Sequence, residues 1–400
     1  MALGKIGETA DGGVTRRSFT ETDRKGRDFI IDLMKDAGLD IWVDIGGNIH
    51  GVRKGTKPGL PPVVTGSHSD SVENGGRFDG AAGVIAAIEA MRALNDAGIE
   101  TEHPLEAVSF FAEEPSHFNT TCLGSRIVAG GFTDTSLLER TDSQGRTLQQ
   151  AFDEMGIDTG KFDIPARDPQ KIKALIELHV EQGSILYDKK IPIGIITDIV
   201  AATRYRVTFL GQADHAGATP MKGRRDALTA ASEAILAVER IANEYSDRDV
   251  VATVGIIECH PGMVNAIPGN VRILVEVRGR AHFSKEIPAA EIVEAIRTIS
   301  RNRSVDVDIE TIAQDTSREV SPEIIDILRQ SAEDRGYPYL VMPSRAGHDA
   351  LHIQNIAPAG MIFLPSKDGI GHDPREWTDM EDIRKGVNVL AEAMVRLAKQ

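Results

Sequence analysis

The chain has 400 residues, of which 41% are hydrophobic, and a formal net charge of −15 at pH 7. That length predicts two domains rather than one, and the charge disfavours nucleic acid, whose phosphates would meet a like-charged surface, without excluding an anionic substrate in a cleft. Cys122 and Cys259 lie far apart outside any CxxC-type motif, which disfavours a structural disulfide or a thiolate zinc site. The leading MALGKIGETADGG has no apolar signal-peptide core, and no apolar run approaches a membrane span, so the expectation is a soluble cytoplasmic protein with no membrane partner.

In chain order, the first helix is expected from about Thr20–Asp23, with Phe29, Ile30, Leu33 and Met34 at helical spacing and Gly38 as its C-terminal cap. Strand and helix patterns then alternate through PVVTGSHSD, AAGVIAAIEAMRAL and LEAVSFFA, a rhythm that favours a largely parallel sheet covered by helices. A polar stretch from about Thr133 to Lys171 carries one helical segment and leads into the strand ALIELHV.

The rhythm changes between roughly Thr203 and Glu310. There TRYRVTFLG, RRDALTAASEAILAVERIANEY, the pair DVVATVGIIEC and NVRILVEVRG, AAEIVEAIRTIS and VDVDIET read βαββαβ, the ferredoxin-like order. The α/β pattern then resumes with SPEIIDILRQSAEDRG, PAGMIFLP and a last helix. For that helix Thr378 and Glu381 suggest a capping box, and Ile383, Val387, Leu390, Met394 and Leu397 a buried stripe. The expected fold is therefore α/β: a catalytic domain of residues 1–200 and 312–400, interrupted by an inserted α+β domain of residues 201–311.

Candidate chemistry gathers where strands end. His68 and Asp70 sit two apart after VVTGS, an arrangement in which a carboxylate can orient a metal-binding imidazole. Asp79 follows in the glycine-rich NGGRFDG, Glu113 and Glu114 follow EAVSFFA, His179 and Glu181 lie in ELHVEQG, and His372 lies in GIGHDPREWT. Taken singly, each has an ordinary explanation: a solvated turn, a core histidine or a capping residue. Together they place His, Asp or Glu at four strand-to-loop junctions, which a parallel sheet brings to one edge, and such ligands suit zinc, manganese, cobalt or nickel. Reading GGRFDGAAG as a nucleotide loop fails on its spacing and leaves the histidines unexplained.

These motifs, with AEEPSHF, CLGSR, ADHAGATPM, MVNAIPG and AGHDA, resemble the hydantoinase/carbamoylase branch of the M20 family of metal-dependent amidohydrolases over nearly the full chain. The resemblance implies two divalent metal ions per subunit, zinc foremost, with His68 and His179 on one, Glu114 and His372 on the other, and Asp79 bridging them. Glu113 is then the general base, and His215 of the inserted domain reaches the active site of the other subunit in a homodimer. Gln182, Asn265, Arg278 and His348 would hold the substrate, a small ureido or amide acid. For Arg278 the alternative is a solvated strand arginine beside Glu276 and Arg280, and for His215 a loop histidine in a polar turn.

The implied reaction is hydrolysis of the N-carbamoyl group of an amino acid, with allantoate or an N-acyl amino acid or dipeptide as alternative substrates. From another class, a non-catalytic small-molecule binder remains an alternative. The sequence departs from the family pattern at Arg345, where glycine is common, at Gly371, where serine is common, and at His117, often an arginine. Arg345 is thus a candidate specificity residue; as a long cation it is expected in solvent, paired with a surface acid.

Overall fold

The computed structural model describes residues 2–162, 172–280 and 285–399. The chain divides into two compact units, one of Met1–Thr197, Val320–Ser344 and His348–Gln400, the other of Asp198–Glu319 and Arg345–Gly347.

The first unit begins with α1 (Glu21–Asp36), whose N-cap Thr20 accepts from the Asp23 N–H. Ile30 and Met34 are its buried stripe, and Gly38 follows with a φ of 75°, the left-handed position that closes a helix. Next come β1 (Asp40–Val43), β2 (Ile49–Arg53), β3 (Val63–His68), α2 (Ala81–Asp96), β4 (Leu105–Phe110), α3 (Leu123–Val128), α4 (Leu148–Glu154), β5 (Ala174–Val180), α5 (Ile185–Lys189) and β6 (Ile193–Ile196). The helical segment expected between Thr133 and Lys171 is α4, capped by a Thr147–Gln150 capping box; the end of that stretch, 163–171, lies outside the described residues.

The second unit holds β7 (Asp198–Ile199), β8 (Ala201–Leu210), β9 (Asp214–His215), α6 (Ala227–Glu244), β10 (Val251–His260), β11 (Ala266–Ile267), β12 (Asn270–Gly279), α7 (Glu286–Arg303), β13 (Asp306–Gln314) and β14 (Arg318–Glu319). The chain returns to the first unit with α8 (Pro322–Glu333), β15 (Tyr339–Met342), α9 (Asp349–Ile353), β16 (Ala359–Leu364) and α10 (Met380–Ala398).

The first unit's sheet runs β1-β2-β4-β3-β5-β16-β6-β15. Its centre, β4-β3-β5-β16, is parallel, while β1-β2-β4 and β16-β6 are antiparallel. Every residue of β3, β4, β5 and β16 is buried, as expected of parallel strands covered on both faces. Their side chains join those of α2 and α10 in one core, with Ile88, Met91, Ile176, Leu178, Leu390 and Met394 inside it. Because these strands are parallel, their carboxyl ends share one edge, where His68, Glu113 and His179 emerge.

The start of the last helix differs from the sequence reading. α10 is preceded by Asp379, no side-chain cap forms, and the Thr378 hydroxyl is buried. The Thr378–Glu381 box is therefore absent: the helix starts one residue too late for Thr378 to be its N-cap. Its buried stripe does include Leu390, Met394 and Leu397, with Ile383 and Val387 packed beside it.

The second unit's sheet is β10-β12-β8-β13, antiparallel throughout. In sequence order that is 2-3-1-4, the ferredoxin-like arrangement read from βαββαβ. Its core joins Val207, Phe209, Ile273 and Val275 of the sheet to Ala234 and Val238 of α6 and Ile292 and Ile296 of α7. The unit extends past residues 201–311 at both ends because β7 pairs with β14.

Candidate metal centre

The site grows from backbone constraints. His68 ends β3, and its Nδ1 lies 3.1 Å from the Asp70 carbonyl oxygen. A carbonyl only accepts, so Nδ1 carries a proton and, in the neutral ring, Nε2 presents its lone pair. His179 repeats the device: Nδ1 donates to the Val180 carbonyl at 2.8 Å, and Nε2 accepts from the Gly80 N–H at 3.2 Å. Gly80, at φ 59°, leads into α2, and a Cβ there would stand 2.4 Å from the His68 ring. Only glycine lets the loop carry Asp79 this close.

Asp79 is the meeting point. Its Oδ1 lies 3.1 Å from His179 Nε2 and 3.5 Å from His68 Nε2; its Oδ2 lies 3.1 Å from His372 Nε2 and accepts from Gln182 Nε2 at 2.6 Å. Glu114 Oε1 is 3.3 Å from His372 Nε2. The donor atoms form two groups, His68–Asp79–His179 and Asp79–Glu114–His372, each within 4.8 Å internally and sharing Asp79.

The carboxylates beyond β4 are equally fixed. Asp70 accepts the backbone N–H groups of Glu113 and Glu114 at 3.3 and 3.0 Å and the Ser18 hydroxyl at 2.8 Å. Asp70 therefore orients His68 and the Glu113–Glu114 turn together. Glu113 is largely buried, with Oε2 3.7 Å from His68 Nε2. Burial pushes its carboxyl up to about 8, with His68 opposing and Glu114, Asp70 and Asp79 adding to the rise. Hydrogen bonds that His372 donates to the Asp79 and Glu114 carboxylates push its imidazole up to about 11.

This donor set fits divalent cations. His68 Nε2 and His179 Nε2 lie 3.5 Å apart, and in the neutral rings both lone pairs point inward, with an Asp79 oxygen beside them. Three acceptors cannot converge in a buried site without a cation or added protons between them. Imidazole and carboxylate donors suit zinc, manganese, cobalt and nickel.

Other expected residues fall around this centre. The Gln182 amide lies 3.1 Å from His372 Nε2, and both residues hold left-handed φ values, 57° and 56°, a strain of about 1 kcal/mol each that favours a functional reading. His348 is buried, its ring centroid 4.5 Å from that of His179. Glu181 is drawn away from the centre: its carboxylate accepts the Ile185 and Leu186 N–H groups at the start of α5. His117 is half-buried on the loop after Glu114.

His215, Asn265, Arg278 and Arg345 belong to the second unit. His215 pairs with Ala266 across the β9–β11 ribbon, and the Asn265 carbonyl accepts from the Ala216 N–H at 2.9 Å. His215 Nδ1 accepts the Gly217 and Ala218 N–H groups at 3.0 and 3.1 Å, so in the neutral ring Nε2 carries the proton and is free to donate. Arg278 Nε binds Glu276 Oε1 at 2.7 Å, and its Nη1 reaches the Arg345 carbonyl at 3.4 Å. The Arg345 side chain is exposed and pairs with Asp249 at 3.2 Å, as expected for a long surface cation.

The sequence reading missed Glu376. Its buried Oε1 accepts the N–H groups of Phe78 and Asp79 at 2.8 and 3.0 Å. Its place four residues after His372 carries no periodicity or motif that would single it out.

A metal-dependent hydrolase with its candidate metal-binding residues at the carboxyl edge of an α/β sheet is the class that fold and site define. Residues 63–396 match peptidase family M20/M25/M40. The chain is 38% identical to an N-carbamoyl-L-amino acid amidohydrolase of Geobacillus stearothermophilus, covering all of this chain and 97% of that protein. It is also 38% identical to a ureidoglycolate hydrolase of Oryza sativa subsp. japonica, over 97% of this chain and 81% of that one. The crystal structure of a hydantoinase/carbamoylase family amidase from Burkholderia vietnamiensis superposes with a TM-score of 0.91 at 37% identity, covering 100% of this chain and 96% of the other. The chain belongs to the M20 family of metal-dependent hydrolases, in its hydantoinase/carbamoylase branch, and is a hydrolase of C–N bonds in linear amides.

Proposed function

We propose that the substrate is a small ureido acid, foremost an N-carbamoyl amino acid, cleaved to the free amino acid, ammonia and carbon dioxide. The observation that carries this reading is the pair of donor groups sharing Asp79, with Glu113 beside them, its Oε2 3.7 Å from His68 Nε2. His68, His179, Glu114, His372 and the shared Asp79 would hold two divalent cations, zinc foremost, which would supply Lewis-acid chemistry toward water and the scissile carbonyl. Glu113 takes the water's proton and returns it to the leaving nitrogen. His215, with Nε2–H as donor, stabilises the oxyanion. Gln182, Asn265, Arg278 and His348 hold the substrate, Arg278 meeting its carboxylate.

The second unit is, in this reading, the inserted dimerisation or lid domain, and His215 acts across the subunits of a homodimer. Support comes from β10, an edge strand with Val251, Ile256 and Ile257 exposed, a surface that a second copy would cover. A reducing cytoplasm suits Cys122 and Cys259, which are both free, and no helix among the described residues is long and apolar enough to cross a membrane. The test is ammonia release from N-carbamoyl amino acids, N-carbamoyl-β-alanine, ureidoglycolate, allantoate and N-acyl amino acids. The ureido acids should turn over at least tenfold faster than the N-acyl set; a preference for N-acyl amino acids overturns the substrate reading.

A further inference from the structure

Glu376 stands outside both donor groups, yet its contacts converge on the residue they share. Oε1 takes the N–H groups of Phe78 and Asp79, and the loop closes over the carboxylate so tightly that a Cβ on Gly76 would stand 2.1 Å from it. The next residue, Trp377, packs edge-on against Phe78 with ring centroids 5.4 Å apart. Segment 372–377 therefore carries His372 at one end and grips the Asp79 loop with the other. Glu376 Oε2 is buried without a hydrogen-bond partner. Such a group costs stability, so a stability role alone gives no reason to keep a carboxylate here.

We propose that Glu376 is a positioning residue that sets the Asp79 carboxylate in the one orientation serving both cation groups, so that its loss weakens both cations together. The proposal rests on the dinuclear reading above. Two charge-assisted hydrogen bonds fix the peptide that carries Asp79, and with it the direction in which Oδ1 and Oδ2 diverge.

The test titrates zinc into metal-free full-length wild type, Glu376→Ala, Glu376→Gln, Gly76→Ala and His372→Ala, by calorimetry or against a chromophoric chelator. Melting temperature is followed in chelator. Glu376→Ala should weaken both zinc ions by about 10- to 100-fold. Glu376→Gln keeps an oxygen able to accept both N–H groups and should lie closer to wild type. Gly76→Ala should resemble Glu376→Ala by displacing the carboxylate, whereas His372→Ala should weaken one ion far more than the other. Wild-type zinc affinity in Glu376→Ala, a loss confined to one ion, or equal losses in the Gln and Ala variants would overturn the proposal. Should Glu376→Ala fail to fold, the Gln and Gly76 variants decide it. Wild type that binds fewer than two zinc ions instead overturns the dinuclear reading and is recognised before any variant is compared.

Discussion

The two units hold their candidate residues differently, although His372 of the first is itself exposed. In the first, His68, Asp79, Glu114 and His179 are buried, and His68, Glu114 and His179 each engage a backbone group or a neighbour that itself does so. In the second, His215, Asn265 and Arg345 are exposed, and their recorded bonds stay within the unit. Arg278 is half-buried, but its contacts too are Glu276 and the Arg345 carbonyl. Under the proposed function, the contrast separates two tasks. Cations demand donors fixed in advance, because ordering flexible ligands at the moment of binding would cost affinity. Contacts to a substrate tolerate exposure until the substrate arrives.

The largest effect should follow from breaking the shared residue of the buried group. Asp79→Ala is expected to lower metal content at both positions and to cut activity by at least about 100-fold, measured by elemental analysis beside ammonia release. Chelation of wild type should do the same reversibly, and full activity in metal-free protein would sink the dinuclear mechanism.

Glu113→Gln should lose at least ~10²-fold in kcat while retaining its metals, because it removes a proton carrier and no ligand. Near-normal turnover in metal-loaded variant would assign the base elsewhere.

His215→Ala sharpens the contrast from the exposed side. An oxyanion donor is worth about 10²–10³ in kcat, with metal content untouched. Mixing this variant with Glu113→Gln should restore part of the activity after subunit exchange, since one hybrid site unites an intact Glu113 with its partner's His215. Exchange demonstrated without recovery would place His215 in its own subunit's chemistry or in none.

A subtler consequence is pH linkage. In metal-free protein Asp79 and Glu114 hold His372 protonated up to about 11, whereas a ligating imidazole must be neutral. Cation binding should therefore release a proton, and affinity should rise by up to about tenfold per pH unit below that value. Calorimetry in buffers of different ionisation enthalpy reads the proton directly; no release would mean that His372 is not a ligand.

The smallest effect belongs to Arg345→Gly. With its guanidinium exposed and paired to Asp249, its removal should change kcat/KM by less than about threefold, equally on acidic and aliphatic N-carbamoyl substrates. A loss selective for the acidic set would move Arg345 into the pocket.

Much of the fold was legible in local patterns. The apolar runs VVTGSH, LEAVSF and ALIELHV read as buried strands because parallel strands covered on both faces need no polar alternation. The βαββαβ order predicts the second unit's sheet because its helices show the 3.6-residue period and its core strands the two-residue one, as in NVRILVEVRG. His68, Asp79, Glu113, Glu114, His179 and His372 were legible as candidates only in combination, because a parallel sheet brings its strand-to-loop junctions to one edge. What only the tertiary structure decided are long-range hydrogen bonds: Asp70 reaching the Glu113–Glu114 turn, Glu181 turning to cap α5, Thr378 failing to cap α10, and Glu376 holding Asp79 from the far end of the chain. Local patterns record which face of an element is buried. They carry no record of which distant backbone N–H a carboxylate will meet, because that depends on how the strands are ordered in the sheet and where the loops between them cross.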